Sequence, residues 1–470
     1  MRVLNVIDAL FLLLESRKQP MHVAGLCIFE LPANAGDDFI STLIDHIRSS
    51  NGQPKFPFNQ VLSHLAFWKT DDQFDIDHHF YHVALPKPSG EIELMNYISS
   101  EHERKLDKSK PLWEMHFIEG LAPLAEGLPA RFGIYIKIHH ALADGIAAMR
   151  LLTMSLSNSP TQVSDTPFWC LSTRYRNQID AILPIHKPAL QIVKEQFGTI
   201  VPVCRQLIED TKNRKNPYFI STFDAPKSML NQRIDGSRKL FVRSFAKDGI
   251  VKIAKACDVT TNDIILAICS GALRRYLLSQ NALPKKPLIA FVPISLRADD
   301  SAVGNQISFL LANLGTHKSN PKDRLQIIKD SIGLGKARFS RMSQAQTINY
   351  SAVAYGWAGI NLATGLFPRK QAFNLIISNV PGPKETLYLN GAKLTEAYPT
   401  SVLFDGQALN ITFTNFQDRI DFGITACHSV LPNIDGLLDF IETEIQELTS
   451  LVHNAYLSQT MSRSDHNQVN

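Results

Sequence analysis

No segment of this chain supplies the ~20 consecutive apolar residues that a membrane-spanning helix requires. The nearest approach, Met342 to Pro368, is uncharged but carries Gln344, Gln346, Asn349 and Asn361, which suits a greasy lining better than a span. The six cysteines, Cys27, Cys170, Cys204, Cys257, Cys269 and Cys427, include no C-x-x-C pair. That spacing excludes a zinc knuckle and a disulfide framework, and free thiols imply a reducing compartment. Charge of neither sign dominates: the formal net charge is +4 over 470 residues, too weak to imply nucleic acid. Short-period repeats are missing as well. The opening MRVLNVIDALFLLLESRKQP lacks a small-residue cleavage site, and Asn5 and Asp8 interrupt its apolar run, so it reads as an amphipathic helix rather than an export signal. Phe11, Leu12 and Leu13 are expected in the core.

The length exceeds one ordinary core and predicts two domains. Helix and strand patterns alternate throughout, which argues for an α/β protein. Phe39, Leu43 and Ile47 form a helical stripe, and EIELMNYISSEHERKL a second helix. Trp113, Met115 and Phe117 alternate as a strand does; RFGIYIKIHH is the next strand, followed by the helix GIAAMRLLTMSL. A polar, turn-rich stretch from Ser157 ends this part. The expected division is 1–160, a linker with basic crossing helices at 161–235, a second domain at 236–457, and a polar, disordered tail at 458–470.

The informative stretch is IKIHHALADGIAAMRLL, with H-H-x-x-x-D-G at His139, His140, Asp144 and Gly145. On a strand, Ile134, Ile136, Ile138 and His140 share one face and His139 points the other way. Asp144 and Gly145 then occupy a strand-to-helix turn, where an aspartate suits an N-cap. Adjacent strand histidines face apart and cannot readily clasp one ion, so no metal is expected. On the motif alone, a core histidine and a capping aspartate remain an open alternative to catalysis. His78 and His79 lack a following D-G and read as structural.

Four further segments accompany the motif. They are Pro111, Leu112 and Trp113; Asn262 and Asp263 at a helix start where Thr260 or Thr261 could cap; VPISLR ending on Arg297; and SNVPGP from Ser378 to Pro383, containing Asn379 and Gly382. With DALFLLLESRKQPMH, LNQRIDGSR and GAKLTEAYPTS, they resemble in order the bacterial wax ester synthase/diacylglycerol acyltransferase family, over roughly Asp8 to Leu451.

That resemblance implies two chloramphenicol-acetyltransferase-like domains forming a pseudo-dimer, with the reaction in a tunnel between them. It implies His140 as general base for an alcohol attacking an acyl-CoA thioester directly in a ternary complex, with His139 supporting. The acceptor would be a long-chain fatty alcohol or diacylglycerol. Asn262 is then the candidate oxyanion donor, and Asp144, paired with Arg297, is structural together with Gly145 and Asp263. Pro111, Leu112, Trp113, Ser378, Asn379 and Gly382 are candidates for the substrate tunnel. Acyl-CoA is a co-substrate, and no permanent cofactor is implied. Apolar acceptors imply a cytoplasmic enzyme attached peripherally to the inner membrane or to lipid inclusions, with the basic residues between Ile182 and Lys215 as an electrostatic means. Two other readings compete: a superfamily branch using carrier-bound acyl groups, and a non-catalytic lipid-surface protein.

Overall fold

The computed structural model describes residues 2–4, 6–49, 52–63, 67–143, 145–164, 166–171, 220–221, 224–295, 307–342, 346, 350, 361 and 371–467. The stretches from Ile182 to Lys215 and, almost entirely, from Met342 to Pro368 lie outside them, as do Asp144, Cys204 and Arg297.

In chain order the elements are β1 (Arg2–Val3), α1 (Val6–Leu14), β2 (His22–Glu30), α2 (Phe39–Ser49), β3 (Gln60–Ser63), β4 (Phe67–Thr70), β5 (Phe80–Ala84), α3 (Glu91–Glu103), β6 (Trp113–Leu121), β7 (Arg131–His139) and α4 (Gly145–Met154). There follow β8 (Lys239–Ala246), α5 (Lys247–Ala256), α6 (Thr261–Ser279), β9 (Ile289–Ser295), β10 (Ile307–Asn313), α7 (Pro321–Phe339), β11 (Leu375–Pro381), β12 (Tyr388–Leu389), β13 (Ala392–Thr400), β14 (Leu409–Phe416), β15 (Arg419–Ala426) and α8 (Leu437–Asn467). Among these residues no single helix is long and apolar enough to cross a membrane.

Two compact units result, each assembled from separated stretches where the sequence alone suggests contiguous blocks. The first comprises Met1–Ile185, Ile234–Ser244 and Ser378–Ser429; the second comprises His186–Arg233, Phe245–Ile377 and Val430–Asn470. The cause of the exchange is strand pairing. In the first unit a six-stranded sheet runs β12-β13-β2-β7-β6-β5, so β13 from late in the chain pairs antiparallel with β2 from its beginning. Hydrophobic periodicity reports a strand's faces but not its neighbour.

The two faces of β7 differ in chemistry. Ile134, Ile136 and Ile138 join Phe29, Trp113, Met115 and Phe117 in an apolar core covered by Leu43, Ile44 and Ile47 of α2 and Met149, Leu151 and Leu152 of α4. Tyr135, Lys137 and His139 face the other way, where Leu94 and Ile98 of α3 pack. Lys137 is fully buried there, 2.9 Å from the Glu114 carboxylate, and donates to Glu101 O and Arg104 O at the end of α3. An ammonium at a helix C-terminus meets the negative end of the dipole, so the charge is held on every side.

In the second unit β9 pairs antiparallel with β10 and parallel with β11 through Leu375 and Ile376. Thr260 caps α6: its hydroxyl accepts from Asp263 N–H at 3.2 Å, and the Asp263 carboxylate accepts from Thr260 N–H at 3.0 Å. From Asp263 onward α6 is buried almost all round, the mark of a central helix. Helix α8 continues through Asn467, where polar composition led to an expectation of disorder; the tail contains neither proline nor glycine to stop it.

Glu444 of α8 is buried beside α6 and α7, 2.6 Å from both Arg275 and Arg324. A Cβ on Gly271 would land on that carboxylate, so the glycine makes its room. Removing one partner of a buried pair leaves the other charge uncompensated. Glu444→Ala is therefore expected to destabilise by about 3–5 kcal/mol, seen as a lowered Tm in calorimetry.

Candidate active site

Strand β7 ends at His139, so His140 lies in the turn that follows, not on the strand itself. The two histidines have opposite surroundings. His139 is fully buried; its N–H donates to Leu112 O at 2.9 Å, and its Nδ1 accepts the Ala141 N–H at 3.0 Å. With Nδ1 accepting, the ring proton sits on Nε2, which faces the Glu15 carboxylate at 3.5 Å. Glu15 is itself buried, with Lys108 Nζ 2.8 Å from its other oxygen. Burial pushes this carboxyl's pKa up, but His139 and Lys108 more than reverse that and hold it at about 2.

His140 is only half-buried. Its N–H donates to Met21 O at 2.8 Å, and its ring stacks on Phe11 of α1, centroids 4.1 Å apart and planes 14° from parallel. Of the helix residues expected in the core, Phe11 and Leu12 pack there, whereas Leu13 is 79% exposed. Asp144, next along the motif, lies outside the described residues, and so does its expected partner Arg297. Gly145 opens α4.

Beneath the turn, His22 is the cross-strand partner of His139. Its Nε2–H donates to His102 O at 2.9 Å. The His102 ring receives the Tyr135 hydroxyl on Nδ1 at 2.7 Å and donates from Nε2 to Ser401 O. Burial pulls both imidazoles below their usual range, His102 to about 3, so both are neutral. Arg238, from LNQRIDGSR, closes the same loop by donating to Lys18 O at 2.7 Å, while its N–H donates to Glu103. None of Glu15, His22, His102, Lys108, Glu114 or Lys137 was singled out from the sequence. The signal available for the first two was their place in the DALFLLLESRKQPMH stretch.

Pro111 and Leu112 lie just before β6 and Trp113 opens it, with Leu112 O taking the His139 N–H. Trp113 is fully buried, donates Nε1–H to Phe58 O at 3.0 Å, and stacks on His79 and Trp169. His79 in turn donates Nδ1–H to Trp113 O at 2.7 Å, which makes it structural, as expected. In β11 and the turn after it, Ser378 is half-buried and Asn379 exposed, accepting from Asn415 at 3.2 Å. Gly382 is held to glycine by sterics, since a Cβ would fall on the Thr414 methyl and within 2.5 Å of Asn415 O. In the second unit, Asn262 is half-buried in the first turn of α6, and the Asp263 carboxylate is engaged in the capping box with Thr260.

Comparison with known proteins follows the same lines. The wax ester synthase/diacylglycerol acyltransferase catalytic domain matches residues 4–265, and the C-terminal domain of that family matches residues 303–449. The chain is 49% identical to O-acyltransferase WSD of Acinetobacter baylyi over 95% of this chain and 96% of that protein. A solved structure of the wax ester synthase/diacylglycerol acyltransferase from Marinobacter aquaeolei VT8 superposes with a TM-score of 0.78 at 37% identity, covering 96% of this chain and all (100%) of that one. The starter condensation domain of rhizomide synthetase, 12% identical, shares the fold with a TM-score of 0.56 over 96% of this chain and 94% of its own. These matches agree with the mixed α/β, two-domain architecture expected from the sequence. The chain belongs to the wax ester synthase/diacylglycerol acyltransferase family and is an O-acyltransferase.

Proposed function

We propose that the enzyme moves a fatty acyl group from acyl-CoA to a long-chain alcohol or diacylglycerol, with His140 as general base and no covalent intermediate. The observation that carries this reading is the asymmetry of the histidine pair: His139 is fully buried and its Nδ1 is occupied by the Ala141 N–H, while His140 is only half-buried. His140 accepts the hydroxyl proton as the alcohol oxygen attacks the thioester carbonyl. The Phe11 ring, flat against it, offers its electron-rich face to the imidazolium as that charge forms. The leaving thiol, with a pKa near ~8.5, departs far more easily than an alkoxide. Asn262 as donor to the oxyanion, and the Asp144–Arg297 pair, carry over from the family resemblance.

The same reading places the enzyme at a lipid surface on the cytoplasmic side, because acceptor and product are too apolar to travel through water. Helix α1 supports it: Leu10 and Leu13 are 46% and 79% exposed on the helix whose Phe11 lies on His140. Arg17 and Lys18, both exposed, follow that helix. Exposed leucines among cations fit an anionic membrane interface.

Three outcomes are expected. His140→Ala lowers CoA thiol release from palmitoyl-CoA, with hexadecanol or diacylglycerol as acceptor, by roughly 10²–10⁴-fold; near-normal turnover in a folded variant would refute the assignment. Glu15→Gln acts on stability with a definite sign. A carboxyl lowered from 4.5 to about 2 stabilises the fold above the higher value and loses that effect as pH falls through the lower. The variant should therefore melt lower at neutral pH, by about 2 kcal/mol of stability, and the gap should close on acidification between those values. Finally, flotation with anionic vesicles should fall at high salt and in Leu13→Glu; equal binding to neutral vesicles at every salt concentration would exclude an electrostatic attachment.

A further inference from the structure

Helix α1 has two faces of unlike chemistry. Its inward stripe is Asp8, Phe11 and, one turn on, Glu15, whose N–H still donates to Phe11 O at 3.2 Å. The Phe11 ring lies on His140, and the Glu15 side chain, sealed from water, faces His139. A single turn of helix thus touches both histidines of the motif. The outward stripe is Leu10 and Leu13, three positions apart and both exposed.

The helix depends on its packing. It has nine residues, and isolated helices below ~12–15 residues are marginal in water. Phe11 and Leu14 pack on Met21 and Val402. The end is pinned where Gln19 donates to Leu14 O at 3.0 Å while its Oε1 accepts the Asp405 N–H at 2.6 Å. These contacts leave Leu10 and Leu13 uncovered, so burial of the two leucines stabilises the helix without displacing any of them. The surface beside it is cationic. Arg17 and Lys18 are exposed in the turn after α1, and Lys105 in the loop whose Lys108 meets Glu15. The acids exposed along that stretch are Asp107, which takes the Ser109 N–H, and Glu103, which takes the Arg238 N–H. Leucines flanked by cations match an anionic lipid surface, which takes the former at its acyl boundary and the latter at its headgroups.

We propose that α1 couples its two faces: docking of Leu10 and Leu13 on an anionic lipid surface holds Phe11 and Glu15 against the histidine pair, so the enzyme turns over faster at the surface than in free solution. The proposal rests on the readings of His140 as base and of α1 as the lipid-facing helix, and adds that binding there acts on the chemical step. A ligand shifts an equilibrium only by binding one arrangement better. Here the arrangement that offers both leucines on a formed helix is also the one that assembles the site.

The test uses substrates that dissolve in water, octanoyl-CoA and hexanol, so that no surface is needed to deliver them. CoA release by the full-length enzyme is followed alone, with vesicles of phosphatidylglycerol and phosphatidylcholine, and with phosphatidylcholine vesicles. Anionic vesicles are expected to raise kcat about threefold or more, whereas mere concentration of substrate at the lipid would lower KM and leave kcat. Leu13→Glu is expected to lose the rise. Phe11→Leu removes the ring contact and keeps the outward stripe, so it should float with the vesicles and yet show a smaller rise. Glu15→Gln makes the same comparison from His139. An unchanged kcat in wild-type enzyme that floats would overturn the coupling and leave the attachment standing, and so would a full rise in Leu13→Glu. Failure of the wild type to float would overturn both, and equal stimulation by neutral vesicles would overturn the anionic partner. The identity of the base is decided separately, by turnover in His140→Ala.

Discussion

Where α1 ends, a carboxylate sealed from water lies against an imidazole sealed equally well, and the geometry of the surrounding turn follows from that contact between Glu15 and His139. The chain leaving Glu15 returns through Met21, whose carbonyl takes the His140 N–H, into His22, which lies in register with His139. One turn before Glu15, Phe11 meets the His140 ring. The first strand and the histidine turn are thus fixed by a single closed loop. Its ionic part depends on Lys108, because a lone buried carboxylate would otherwise carry an uncompensated charge.

The underside of the sheet extends the same logic without adding mobile charge. Lys137 spends its three donors on Glu114 and two carbonyls, and His22 and His102 are kept neutral by burial. His22 and His102 therefore stay uncharged as pH moves through the neutral range. Such a floor favours a preorganised site, in which dipoles need not rearrange when charge develops above them.

Much of this was legible in the sequence. The alternation of Trp113, Met115 and Phe117 and the stripe of Leu43 and Ile47 gave their elements directly, because period and burial are local properties. Gly145 likewise falls at the strand-to-helix turn, and Thr260, one of the two threonines that could cap α6, does so. The buried network was not legible. A lysine and a glutamate on neighbouring strands look like ordinary surface residues until pairing is known, and Glu15 sits 124 positions from His139. The strand assignment of His140 failed by one residue, at an element boundary, where the Ala141 N–H turns back onto His139 instead of continuing the ladder.

The interleaved layout of the two units has a consequence for how the chain is made. Strand β2 leaves the ribosome long before its partner β13, and Ser401, which accepts from His102, comes with the later strand. Throughout the intervening synthesis β2 has β7 on one side and an unsatisfied edge on the other. Contacts this remote in sequence form slowly, and open edges invite pairing with the wrong strand. An N-terminal fragment ending before Ala392 would keep every histidine of the site and still lack the strand that closes its sheet. Until β13 is made, that open edge of β2 is where the growing chain is most exposed to wrong pairing.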